Sequence, residues 1–114
     1  MMNLLNSILK LELSEGDWLS EGKMIKYSYL GANNELIKDE INVYEFAYMC
    51  KIWAHVRGYN IISYTISKGE FDVFVVNAEI NDFNESLWSS YHLGSEPEAI
   101  IKACEWILKE TNGN

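Results

Sequence analysis

The sequence predicts an α+β fold, a single domain over residues 1–114 in which an antiparallel β-sheet of about four to five strands packs against two to three helices. Three observations carry that reading. Two strand-rich runs flank a tight Lys68-Gly69-Glu70 turn, helix-start signatures stand at Asn42 and Ser95, and 48% of the residues are hydrophobic in a chain with a single proline.

The first element is ambiguous in period. Leu4, Leu5, Ile8 and Leu9 recur at helical spacing, whereas Leu9, Leu11 and Leu13 alternate as in a strand; a short helix over about residues 2–11 is the expectation. Ser14 to Gly22 then repeats Ser-Glu-Gly around Asp17 and Trp18, which reads as turns about an aromatic plug. Met24–Leu30 is rich in β-branched and aromatic residues, Gly31-Ala32-Asn33-Asn34 tolerates positive φ, and Glu35–Ile41 alternates again, giving a first hairpin.

Asn42 with Glu45 three residues on has capping-box spacing. The helix it opens gathers Val43, Phe46, Ala47, Cys50, Trp53 and Ala54 on one face, and Gly58 ends it. Asn60–Ser67 and Phe71–Ala78 form the second hairpin, the clearest in the chain, and Leu87–Tyr91 adds a short strand. Ser95-Glu96-Pro97-Glu98 is a second capping box with proline in the first turn, and Ile100, Ile101, Cys104, Ile107 and Leu108 continue the buried face of a last helix that frays from Thr111 to Asn114.

The chemistry-bearing residues are few. Cys50 and Cys104 each sit in an apolar helical pattern and read as buried, reduced thiols. Of two histidines, His55 lies five residues after Cys50, about 140° around a helix, so the two share no metal-ligating face. The seven glycines never cluster as a phosphate loop requires. Glu79, Asp82 and Glu85 recur among Asn77, Asn81 and Asn84, but the spacing fails the calcium-loop pattern. No enzyme, metal or cofactor is therefore expected.

Charge points elsewhere. Nine Lys and Arg against 17 Asp and Glu give −8, and Lys26, Lys38, Lys51 and Lys68 form no basic run, which disfavours direct nucleic-acid binding. Met1–Leu13 lacks the features of a secretory leader and no apolar run approaches membrane length, so a cytoplasmic, membrane-free protein is expected. Two acidic segments contain aromatic residues: Glu15–Glu21 around Trp18, and Glu70–Glu85 leading to Trp88. Solvated surface loops are the commoner origin of such segments; the sharper reading is a face for a basic partner, with Asp17, Trp18, Glu79, Asp82, Glu85 and Trp88 as partner-binding residues. An edge strand, Leu87–Tyr91 or Met24–Leu30, would also offer a route to a homodimer.

Residues from about Ile41 to Leu108 carry a helix, a strand opening with Gly58-Tyr59, a second strand at Phe71–Ala78, an aromatic strand with Trp88 and Tyr91, and the Pro97-Glu98-Ala99-Ile100-Ile101-Lys102-Ala103-Cys104 helix start. This arrangement resembles the small phage-encoded domains grouped as phage ABA-sandwich proteins. Residues 1–40 lie outside the resemblance. It implies a fold and a phage or prophage setting, and it brings no catalytic residue. The expectation is a non-enzymatic phage protein that binds a host protein with a basic surface. In the manner of an anti-CRISPR inhibitor, it would occlude a nucleic-acid-binding surface with acidic loops. Two alternatives stand beside it. One is a small-molecule (nucleotide) binding or sequestering protein using Tyr27, Tyr29, Tyr64 and Trp53; the other is an acidic immunity protein against a nuclease toxin.

Overall fold

The computed structural model describes residues 1–111 and resolves the ambiguity at the amino terminus in favour of a helix, α1, Met2–Leu9. It ends two residues earlier than the apolar pattern suggests, because Lys10 turns left-handed at φ 59°. The side chain of Asn6 then clips the following segment. It donates to Leu13 O at 3.1 Å and accepts from Leu13 N at 2.7 Å, which leaves Leu13 buried.

The chain falls into two compact units, Met1–Phe46 and from Ala47 onward. In the first, β1 (Trp18–Glu21), β2 (Met24–Leu30) and β3 (Leu36–Asn42) form an antiparallel meander in that order. Glu21 pairs with Met24, leaving the two-residue turn Gly22-Lys23, and Gly22 has φ +62° as a tight hairpin turn of type II′ needs at its first central position. Ile25 and Ile41 are paired and buried, whereas β1 is exposed over Leu19–Glu21. Asn42 Oδ1 accepts from Tyr44 N at 2.8 Å and caps α2, Val43–Val56, which continues into the second unit.

The second unit holds β4 (Tyr59–Ser67), β5 (Glu70–Asn77) and β6 (Trp88–Leu93), again an antiparallel meander, and α3, Glu96–Thr111. Along β5, Val73 and Val75 are fully buried, each worth about 1.5–3 kcal/mol against exposure. Their face lies under α3. Ser63 donates to Glu96 Oε2 at 2.9 Å, and Trp106 takes Trp88 in a stack at 6.0 Å and Tyr59 edge-on at 6.5 Å. On another side α3 meets α2, where Cys104 Sγ lies 3.6 Å from Cys50 O. Buried residues therefore cover a broad face of α3, from Pro97 to Leu108, while Glu98, Lys102, Glu105 and Lys109 on the other side are exposed.

The α+β class is as expected, with three helices among the described residues, but six strands there form two three-stranded sheets where one sheet of about four to five was expected. The extra strand is β1, which the sequence presents as turns; only Trp18 in it is even half-buried, so it carries no alternating pattern. Its presence also corrects the edge expected at Met24–Leu30, because β2 lies between β1 and β3. Of the two candidate edges, β6 alone is at the margin of its sheet. The expected fraying covers Thr111 and residues 112–114. Thr111 is still helical, its Oγ1 bonded to Ile107 O at 2.9 Å, and residues 112–114 lie outside those described.

Candidate functional site

The acidic segment after β5 is a tied loop. Asn77 Oδ1 accepts from Glu79 N at 2.9 Å, Asn81 N donates to Asn77 O at 2.7 Å, and Asn60 Nδ2 reaches across to Asn81 Oδ1 at 2.9 Å. Asp82 caps a 3₁₀ turn over Phe83–Glu85 by accepting from Asn84 N at 3.0 Å, and Leu87 N donates to Val75 O at 2.8 Å. Asn, Asp and short polar spacing suit such local side-chain to backbone bonds.

The three predicted carboxylates separate by role. Asp82 is half-buried and used as a cap; Glu79 and Glu85 are exposed, and neither carboxylate meets a cation among the described residues. Beside them stand Ile80, 59% exposed, and Leu87, 50% exposed, apolar neighbours that no periodic pattern in the sequence singles out. Trp88 is placed differently from an exposed anchor. It is half-buried and stacked on Trp106 beneath α3.

Asp17 and Trp18 belong to the first unit. Asp17 is held by its own turn, its Oδ2 accepting from Ser14 N at 2.8 Å. Trp18 is half-buried with its Nε1 buried and unpartnered, and it pairs with Tyr27 on β2. Around them is an open cleft of about 450 Å³ with Lys26, Tyr27, Lys38 and Asp39 in its lining. Burial first, then the carboxylate of Asp39, raises the Tyr27 hydroxyl above its ordinary pKa. Of the aromatics considered as a ligand pocket, Tyr27 and Tyr29 stack at 6.2 Å in this unit, while Trp53 and Tyr64 belong to the second. There, the Arg57 guanidinium covers the Trp53 ring at 4.0 Å.

Elsewhere the histidines and cysteines form no nucleophile–base pair among the described residues. His55 is exposed, and His92 Nε2 lies 3.3 Å from Glu98 Oε2. Cys50 and Cys104 are free and buried, and their mutual hydrogen bond followed by burial pushes the Cys50 thiol up, away from nucleophilic thiolate. No group of three or more His, Cys, Asp or Glu among the described residues is arranged to hold a metal ion, and no described helix is long and apolar enough to cross a membrane. Chemically, the surface offers free carboxylates beside exposed apolar and aromatic side chains.

No family model matches the chain, and no curated protein or solved structure matches it.

Proposed function

We propose that this chain is a non-enzymatic binding protein whose acidic loop, Glu79–Leu87, docks on a basic surface of a protein partner. The observation that carries the reading is the pair of exposed carboxylates, Glu79 and Glu85, without an internal cation and each one or two residues from an exposed apolar side chain, Ile80 or Leu87. Such carboxylates steer encounter and set register, while the apolar neighbours supply the contact that excludes water. The net charge of −8 works in the same direction. With the resemblance of residues 41–108 to small phage domains, the reading becomes that of a phage or prophage protein. It would act by covering the nucleic-acid-binding surface of a host protein, as an inhibitor of a defence complex would.

The test is affinity capture from bacterial lysate with the tagged chain and with the Glu79→Gln, Asp82→Asn, Glu85→Gln variant, in which the side-chain amide at position 82 keeps the capping oxygen. At about 50 mM salt the wild type retains a basic partner that is released near about 300 mM, where the Debye length has fallen to well under 10 Å. The variant loses it at both. Equal retention by the two proteins at both salt concentrations overturns the loop mechanism.

A second reading, small-molecule binding, has one observation in its favour: the open cleft of about 450 Å³ that sets Lys26 and Lys38 near Trp18 and Tyr27. Mass spectrometry of the supernatant after denaturing the purified protein decides it, since a sequestering protein releases a stoichiometric metabolite.

A further inference from the structure

The second sheet has a face that α3 does not cover, and its centre carries an acid between two phenols. Tyr64 on β4 pairs with Asp72 on β5, and Asp72 pairs with Tyr91 on β6. Directly opposed residues of antiparallel strands project to the same side with Cβ atoms about 5 Å apart, so a ring flanks the carboxylate on each hand. Phe74 follows on the same face and meets Tyr64 edge-on at 6.3 Å, closing one end of the row. Glu70 stands two residues the other way on that face. Desolvation, then Glu70 through its charge and a side-chain hydrogen bond, then the charge of Asp72 hold the Tyr91 hydroxyl above its ordinary pKa. A shallow depression of about 260 Å³ opens among Asp72, Phe74, Ser89 and Tyr91. Tyr64 and Tyr91 remain 53% and 52% exposed.

Charge selects the occupant. None of the paired positions of β4, β5 and β6 is Lys or Arg, and Asp72 makes no ion pair among the described residues. A second copy set on this face by a two-fold axis would bring carboxylates against carboxylates, and an anionic lipid or nucleic acid meets the same repulsion. A cation is attracted, and among side chains the guanidinium fits best. It is planar, forks onto a carboxylate and stacks on aromatic faces, whereas an ammonium is a strongly hydrated point charge.

We propose that this face binds an exposed arginine of a protein partner, the guanidinium lying between Tyr64 and Tyr91 against Asp72, with Glu70 as the second carboxylate. The inference rests on the reading that the chain works by binding a basic protein, but it sets a principal contact on the open sheet face and makes the arginine the feature recognised.

The probe is a short peptide of three arginines separated by glycines, together with its lysine counterpart, titrated into the isotope-labelled full chain and followed by amide and tyrosine-ring NMR shifts. Saturable shifts centred on residues 64, 72 and 91 are expected, with arginine binding several-fold tighter than lysine. Asp72→Asn weakens the arginine peptide about tenfold or more, the usual scale for losing one charge-assisted contact, and Tyr64→Ala, at an exposed position, weakens it several-fold. The Glu79→Gln, Glu85→Gln variant, titrated alongside, keeps the shifts at residues 64, 72 and 91 whatever it loses at residues 79–87. Shifts confined to residues 79–87, with loss of binding only in the latter variant, overturn this inference and leave the loop reading standing. No saturable shift with either peptide overturns it as well, and the lysate capture then decides the broader reading separately.

Discussion

Replacing Trp88 by alanine separates a packing role from a binding role. Trp88 is half-buried, pairs with fully buried Val75, and stacks on Trp106 with centroids 6.0 Å apart and planes at 21°. A half-buried indole removes about 100–150 Å² of apolar surface from water, which at about 25 cal/mol per Å² is roughly 2.5–4 kcal/mol. A compact unfolded chain trims this to about 2–3 kcal/mol. Of that, about 0.5–1.5 kcal/mol belongs to the aromatic pair itself. Urea unfolding followed by far-ultraviolet circular dichroism, which does not depend on tryptophan emission, reads the change as a lower midpoint at unchanged slope. For a domain of this size, at about 4 °C per kcal/mol, the melting temperature falls by roughly 8–13 °C. A cycle of Trp88→Ala, Trp106→Ala and the double variant isolates the pair, and the double variant should lose less than the sum of the singles. A change below about 0.5 kcal/mol with no coupling to Trp106, the behaviour of an exposed residue away from packing, would refute the reasoning.

Two further outcomes follow from the structure. Because Cys104 and burial hold the Cys50 thiol above its ordinary value of 9.0, the unfolded chain loses this proton as pH rises through about 8.5–9 while the folded chain keeps it. The folded state then binds more protons, so stability is level below that range and falls above it, by up to about 1.4 kcal/mol per pH unit; urea midpoints between pH 7 and 10 that decline in the wild type and less steeply in Cys50→Ala are expected, and equal slopes sink the idea. Asn6→Ala removes both bonds that hold Leu13 and should cost about 1–3 kcal/mol in a thermal melt, an unchanged melt showing that the clip is dispensable.

The parts of this fold that can be read from sequence are those where local chemistry and tertiary packing agree. The β4–β5 hairpin is legible to within a residue because alternation meets a glycine, Gly69, whose φ of +79° the turn demands. Start signals at Asn42 and Ser95 fall where α2 and α3 are capped, Glu98 N lying 3.4 Å from Ser95 Oγ. Sheet membership is out of reach, since period identifies strands and not their neighbours. The register is hidden too. Ser67 opposes Glu70 but Thr65 opposes Phe71, so Ile66 is the extra residue of a bulge. Counting back from the turn without that bulge would set Tyr64 opposite Val73, on the face under α3; with it, Tyr64 faces Asp72. Trp88 is equally opaque, because an acidic neighbourhood in sequence says nothing of which side of β6 the ring takes.

The acids of this chain divide by what they do for the fold. Asp17, Glu35 and Asp82 accept backbone N–H groups in turns, at 2.8, 2.9 and 3.0 Å, and Glu96 and Glu98 meet Ser63 and His92 at the start of α3. Removing these should loosen local structure. Lys26 and Glu21 lie 3.5 Å apart with both side chains exposed, a geometry worth little in water. Glu79, Glu85 and Asp72 meet no cation among the described residues, yet each adjoins exposed apolar or aromatic surface. Carboxylates that add to the self-repulsion of a −8 chain without serving its turns gain most from a cation supplied from outside. On the proposed reading, these acids form a recognition set beside the structural one. Neutralising Glu79, Glu85 and Asp72 should leave stability unchanged or slightly raised while binding to a basic partner is lost, whereas Asp17→Ala and Asp82→Ala, which remove oxygens that accept Ser14 N and Asn84 N, should lower stability.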